Sequence, residues 1–305
     1  MSEEMMNTKE VSRYLNIHEK QIYALIRAGR LPATRVTGKW LFPKKVIDQW
    51  IEDTSKAGLE QARKKGDRIS GALLASGSND PVLDILQTCL LKSHPEFYIF
   101  SSNIGSTKGL EALDRGFTDI AWSHLFDPET GQYNIPFLPK LTPHINAVVV
   151  NLFHREVGFL TIRGNPLNIK GFDDLKRRDV RFINRQEGSG IRLLIDFHLR
   201  ELGIPSGAIS GYGDDVNTHI EIGLNILSGE ADTGVATKAL ASLLNLDFIP
   251  IVRERFDMIC DQSVFFQKGV QALVAELSSD LFRKRCSHLG GYDFSESGKI
   301  IYVTA

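Results

Sequence analysis

The chain of 305 residues is 42% hydrophobic and 24% charged, the composition of a globular protein able to bury a core, and it is long enough for two or three domains. Its net charge of −1 excludes a whole-chain field for nucleic acid or lipid, but the ends differ: residues 1–68 carry 14 Lys/Arg against 9 Asp/Glu, whereas residues 69–305 carry 22 against 28. A basic head on an acidic body predicts two jobs. The N-terminus, MSEEMMNTKE, is acidic and has no apolar h-region. The longest near-continuous apolar stretch surrounds Ala147–Val150, far short of the ~20 residues of a membrane span. A cytoplasmic location with no membrane partner is therefore expected. Cys89, Cys260 and Cys286 form no CxxC pair and are expected as free, mostly buried thiols.

Thr8 is the expected N-cap of a first helix, KEVSRYL, with Val11, Tyr14 and Leu15 on one face and Asn16 as its end. A second helix, HEKQIYALIRAG, turns Ile22, Leu25 and Ile26 inward and stops at Gly29. Two short helices across a tight turn predict a helix-turn-helix. Two β-type runs around Thr37–Gly38 then predict a hairpin wing, and Pro43 opens a third helix whose Val46, Ile47, Trp50 and Ile51 close a small core.

From Thr8 to Ile51 this segment resembles the excisionase-type winged helix-turn-helix, related to the MerR-like DNA-binding domains. The resemblance implies double-stranded DNA as partner. Lys20, Gln21, Tyr23 and Arg27 would face it from the second helix, Arg35 and Lys39 from the wing. Gln suits an adenine edge, and Arg and Lys suit guanine or phosphate. A small protein-interaction module with solvated charges is the alternative. Residues 57–68 form a charged linker in which Arg63, Lys64 and Lys65 either add phosphate contacts or are simply solvated.

From Ile69 onward short apolar strands alternate with amphipathic helices, the pattern of an α/β sheet. A strand–Gly/Ser turn–helix unit occurs three times: at Ser76, Gly77, Ser78 and Asn79; at Ser106 and Thr107; and at Gly188, Ser189 and Gly190. Each places free N–H groups and hydroxyls at the positive end of a helix, and together they predict loops converging on one anion. No nucleophile elbow, P-loop, dinucleotide fingerprint or zinc-helix motif competes, so no catalytic or metal-ligating residue is assigned and no cofactor or enzymatic activity is expected. His124 and His219 lie near the loops, where a ligand or proton-relay role competes with an ordinary packing role.

The body resembles a type II periplasmic-binding-protein-like fold, in the subgroup found beside winged helix-turn-helix heads and in molybdopterin-biosynthesis proteins. The carrying residues are SGSND (76–80), residues 104–134, GFLTIRGNP (158–166), residues 182–199, THIEIGLNILSGEADTGVA (218–236, including Thr218) and residues 246–259. The loop Arg185–Gly190 also resembles the R-x-x-x-S-G-T loop of tungstate-binding transport proteins, with Ile191 in place of the threonine. Arg185 and Ser189 would then hold an oxyanion, and Arg192 either adds charge or pairs with a nearby carboxylate.

The whole is thus expected to be an α/β chain with a winged helix-turn-helix at 1–56, a linker at 57–68 and a ligand domain at 69–305. Lobe 1 would be about 69–148 and 255–305, and lobe 2 about 149–254. The expected function is a cytoplasmic, homodimeric transcriptional regulator that senses a small oxyanion, molybdate or tungstate. The alternatives are an organic molybdenum-cofactor-related ligand stacked on Trp122, Phe126 or Tyr212, or a non-catalytic accessory factor in cofactor assembly.

Overall fold

The computed structural model describes residues 5–29, 31–51 and 71–304. The chain divides into two compact units, Met1–Ile69 and Ser70–Ala305. The linker at 57–68, with Arg63, Lys64 and Lys65, lies outside the described residues.

In the first unit, strand β1 (Met5–Asn7), helix α1 (Thr8–Tyr14), helix α2 (Glu19–Arg27), strands β2 (Thr34–Val36) and β3 (Lys39–Pro43), and helix α3 (residues 44–51) follow in order. The sheet runs β1-β3-β2. Two details differ from expectation. The cap of α1 is Asn7 and not Thr8: the Asn7 side chain accepts from Lys9 N and Glu10 N, and Glu10 returns to Asn7 N at 2.8 Å. Glu10 stands at the position that completes this capping box, whereas a Thr8 cap would put Val11 there. In α3, Ile47 is buried and Trp50 packs against the core, but Val46 and Ile51 are exposed at 42% and 37%. The wing turn forms at Thr37 and Gly38, both left-handed (φ 47 and 84), which is the type I′ geometry that matches strand twist. Met6, Val11, Ile22, Leu31, Phe42 and Ile47 make the buried core of this unit.

The second unit is built on one sheet ordered β11-β10-β12-β9-β13-β6-β4-β5. Its first part comprises β4 (Ala72–Gly77), α4 (Pro81–Ser93), β5 (Tyr98–Asn103), α5 (Ser106–Asp114), β6 (Ile120–Ser123), the small hairpin β7 (Phe126–Asp127) and β8 (Gln132–Tyr133), and α6 (Leu138–Leu141). The second part holds β10 (Phe182–Arg185), α7 (Gly190–Glu201), β11 (Asp215–Val216), α8 (His219–Ser228), β12 (Thr233–Thr237) and α9 (Lys238–Leu244). Between them run two 15-residue antiparallel strands, β9 (Ala147–Thr161) and β13 (Asp247–Asp261). One half of β13 pairs with β6, and the far half of β9 pairs with β12. The chain closes on the first lobe with α10 (Gln262–Phe265), α11 (Lys268–Glu276), α12 (Asp280–Cys286), β14 (Tyr292–Asp293) and β15 (Ile300–Val303).

Each lobe buries its own apolar clusters, one centred on Leu86, Trp122, Phe153 and Phe282, another on Phe159, Phe182, Leu194 and Ile195. The two long strands therefore cross between cores, and β13 carries irregular register on both sides of Arg253–Arg255. There Arg155 and Glu254 stand opposite each other in the ladder, at the floor between the lobes. No helix among the described residues is long and apolar enough to cross a membrane. The three cysteines are free and buried.

Candidate functional site

The expected strand–turn–helix units form where the punctuation places them. Asp80 caps α4 with Pro81 at the first helical position, Gly105 precedes α5, Ser189 caps α7 through Arg192 N, and Thr218 caps α8 in a box with Glu221. These four helix starts lie at the ends of parallel strands, where backbone donors gather beside one cleft.

Across that cleft the two lobes touch. Thr107 N donates to Gly188 O at 3.3 Å, and Gly190 lies so close to His124 that a Cβ there would sit 2.6 Å from the imidazole ring. Ser78 Oγ and Ser106 Oγ are 3.1 Å apart, His124 Nε2 is 2.8 Å from Ser78 Oγ, and His124 N donates to Ser106 Oγ at 3.3 Å. Ser78, Ser106, His124, Arg185, Ser189 and His219 are all buried.

Under these loops lies a charged floor that motif reading missed. Arg155 donates through Nε to Glu254 Oε1 at 2.6 Å and through Nη1 to Asp80 Oδ2 at 2.5 Å. Glu254 Oε2 takes His124 Nδ1 at 3.0 Å, and Tyr292 Oη donates to Asp80. Burial opposes ionisation of Glu254, but His124 and Arg155 outweigh it and hold its carboxyl down at about 2. Burial likewise opposes the charge on Arg155, and Glu254 and Asp80 overcome it, leaving the guanidinium above its ordinary range. Arg155 lies between His154 and Glu156 in β9 and Glu254 between Arg253 and Arg255 in β13, so charge in these strands did not mark which side chain turns inward; once buried, both are tolerated only with full pairing.

Arg185 differs from Arg155. It is 2% exposed, and its hydrogen-bond partners among the described residues are uncharged: Gln186 Oε1 at 3.2 Å, Val216 O at 3.3 Å and Asn217 O at 2.8 Å. Burial, reinforced by Arg155, pushes its guanidinium down to about 10. Beside it His219 is buried, with Nδ1 lacking a hydrogen-bond partner among the described residues. Burial, then Arg185, Arg155 and His124, hold this imidazole well below its usual value. Among the described residues, a buried cation with no carboxylate hydrogen-bonded to it and an imidazole nitrogen without a partner together present unused capacity for a negatively charged ligand.

The remaining expected residues lie around this centre. Ser76 Oγ points beneath α5, to Gly109 O and Thr118 Oγ1. Gly77 supplies its carbonyl to Ile104 N and Gly105 N, and Asn79 is half-buried next to Ser78. Arg192 takes the pairing alternative, with Nε on Asp196 at 3.3 Å, Nη1 on Arg185 O and its guanidinium 4.2 Å from the Tyr212 ring centroid. Thr218 is spent on its own cap. Trp122 is buried with Nε1 on Ser101, and Phe126 packs against Tyr133 and Phe197.

Ser78, His124 and Glu254 also form a hydroxyl–imidazole–carboxylate line, which the absence of a local motif did not foreshadow. In the first unit, Lys20, Gln21, Tyr23, Arg27, Arg35 and Lys39 are all exposed on α2 and the wing. Gln21 Oε1 caps His18 N at 3.1 Å, and the Arg35 guanidinium lies 5.7 Å from the Trp40 ring centroid.

The chain matches two family models, a PBP superfamily domain over residues 89–278 and a helix-turn-helix domain over residues 5–55. It is 33% identical over 306 residues to the uncharacterized protein YvgK of Bacillus subtilis (strain 168), covering 97% of each. It is also 31% identical over 110 residues to an uncharacterized protein from the 5′ region of a ferredoxin 2Fe-2S gene of Clostridium pasteurianum, covering 36% of this chain and 97% of that one. Among solved structures, it resembles a putative phosphate ABC transporter substrate-binding protein with bound phosphate from Clostridium perfringens. That match has a TM-score of 0.55 at 14% identity and covers 72% of this chain and 98% of the other. The regulatory domain of CcmR from Synechocystis PCC6803 in complex with 2-PG matches with a TM-score of 0.51 at 13% identity, covering 68% and 96%. The chain belongs to the PBP superfamily, with a helix-turn-helix domain at its N-terminal end.

Proposed function

We propose that this chain is a cytoplasmic transcriptional regulator in which residues 1–56 contact double-stranded DNA and residues 69–305 sense a small tetrahedral oxyanion, molybdate or tungstate. The observation that carries the ligand class is Arg185: a buried guanidinium held only by neutral acceptors, beside the unpartnered His219 Nδ1. Near the starts of α4, α5 and α7, Ser78, Ser106 and Ser189 add hydroxyls of the kind an oxyanion takes. A single winged head offers few base contacts, which supports a homodimer on a two-part site. Lys20, Gln21, Tyr23 and Arg27 would meet the major groove, with Arg35 and Lys39 on the flanking backbone. The stacking surfaces that an organic ligand would use are largely occupied, since Trp122 is buried and Arg192 covers Tyr212.

Thermal-shift and DNA-binding measurements with molybdate, tungstate, sulfate and phosphate test this reading. A raised unfolding midpoint with an oxyanion is expected, with DNA affinity changed by the same ligand and ligand affinity reduced by about 1.5–3 kcal/mol in Arg185→Ala. No shift with any oxyanion, or identical DNA affinity with and without saturating ligand, would refute it.

The Ser78–His124–Glu254 line favours a second reading, acyl transfer through an activated serine. Ser78 N opposes it, being spent on Trp122 O instead of on a developing oxyanion. Labelling of Ser78 by a fluorophosphonate, lost in Ser78→Ala, would establish an activated serine.

A further inference from the structure

The polar chain around His124 has a direction. Glu254 is ionised, so His124 Nδ1 must carry the proton it donates, and in the neutral imidazole Nε2 is then an acceptor. Ser78 gives its hydroxyl proton to Nε2, and Ser106 gives its own to Ser78, while Ser106 Oγ accepts His124 N–H. Both hydroxyl protons are committed inward. Toward the cleft the two serines present lone pairs, which repel the oxygens of a fully deprotonated anion.

The charges lead to the same place. Around His124 the two guanidinium charges of Arg155 and Arg185 equal in number the two carboxylates Asp80 and Glu254, both of which pair with Arg155, so these four groups sum to zero before any ligand arrives. A doubly charged oxyanion would leave two uncompensated charges in a site from which water is excluded, a cost that proteins avoid by moving a proton.

We infer that the site takes its oxyanion as a full dianion together with one proton from solvent, and that His124 Nε2 receives that proton. The inference rests on the oxyanion reading above. Protonated Nε2 donates to Ser78 Oγ, the chain reverses so that Ser78 donates to Ser106, and the hydroxyl proton of Ser106 becomes available to a ligand oxygen. One proton enters and no covalent bond is broken.

His124 is faced by Glu254 and the stacked Phe256 from β13, Arg155 from β9, and Arg185 from β10. Ser78 lies on it from the turn after β4, Ser106 from α5, Gly190 from α7, and His219 from α8. Tyr133 feels the same Glu254 and Arg155, and Asp80 with Tyr292 lies behind Arg155. Burial, with Arg155 and Arg185, lowers the imidazole below its ordinary value while Glu254 works the other way, so the unliganded ring is neutral and available as an acceptor. His219 is the competing base, but burial and every charged neighbour acting on it oppose protonation, whereas His124 holds a carboxylate on its far nitrogen.

The test is calorimetric titration of the full chain with tungstate at pH 7 and pH 8, each in Tris and in HEPES, buffers of different ionisation enthalpy. About one proton taken up per bound tungstate is expected, with Kd about tenfold weaker per pH unit. Perrhenate, the singly charged isostere, should bind without proton uptake. His124→Gln, whose amide can donate to Ser78 without titrating, should abolish the uptake and flatten Kd against pH, while His219→Gln should keep the uptake even where it weakens binding. Tungstate binding with no proton uptake, or uptake retained in His124→Gln and lost in His219→Gln, overturns the inference and leaves the oxyanion reading standing. If His124→Gln does not fold, the comparison of tungstate with perrhenate in the native protein decides the matter. If molybdate, tungstate, sulfate and phosphate all fail to bind, the oxyanion reading falls and the inference falls with it.

Discussion

The helix-turn-helix unit and the ligand unit place their polar chemistry in opposite environments. In the first, the six side chains proposed to meet DNA are exposed, over a small core that includes Ile22, Phe42 and Ile47. In the second, Asp80, His124, Arg155, Arg185, His219 and Glu254 are almost wholly buried. An exposed charge is solvated whether or not its partner arrives, so its removal costs affinity and little stability. A buried charge is tied to its neighbours, so removing one there costs stability as well as function.

The largest effect expected from this contrast is at Glu254. Replacing it by Ala leaves the buried Arg155 with Asp80 alone and strips His124 Nδ1 of its acceptor. We expect the ligand unit to lose about 3–5 kcal/mol in urea unfolding. A loss below 1 kcal/mol would show that the floor of the cleft is wetter and more compliant than its burial indicates.

Gly190→Ala sharpens the comparison within the ligand unit. The new methyl group would meet the His124 ring at 2.6 Å and His124 O at 2.8 Å, neither at the end of a flexible chain. Overpacking of this kind costs about 1–3 kcal/mol. Because the clash spans the two lobes, oxyanion affinity should fall as well. Unchanged affinity would mean that the lobes need not approach this closely to hold the ligand.

The same contrast explains what the sequence made legible. The turns at Gly77–Pro81, Gly105–Ser106 and Gly188–Gly190 are local events, set by glycine, hydroxyl and proline chemistry within a few residues, and they formed as read. The two helices and the Thr37–Gly38 turn of the head are local in the same sense. Even there, Asn7 took the cap expected of Thr8 because the Glu10 side chain completes the box three residues on. The floor of the cleft was not legible in this way. Arg155 and Glu254 are 99 positions apart and meet only through the register of β9 against β13, and Tyr292 reaches Asp80 across 212 positions. Charged or polar neighbours on both sides of each, His154 and Glu156, Arg253 and Arg255, masked which side chain turns inward, and nothing local names its partner. Direction within the His124 chain was less accessible still, because it follows from the ionisation of Glu254, a property of the assembled site.

The smallest expected effect lies in the wing. Lys39 is exposed next to the turn at Gly38, where the chain can pass close to a phosphate, and it belongs to none of the buried networks. Lys39→Ala should leave stability within about 0.5 kcal/mol of the native protein. If Lys39 neutralises a phosphate, binding should weaken by a similar factor on every DNA sequence, and the slope of log affinity against log salt should fall by about 1. A sequence-dependent loss would instead place Lys39 on a base edge, and an unchanged salt slope would remove the wing from the interface. Either way, the measurement separates surface electrostatics from folding, which no substitution at Arg155, Glu254 or His124 can do.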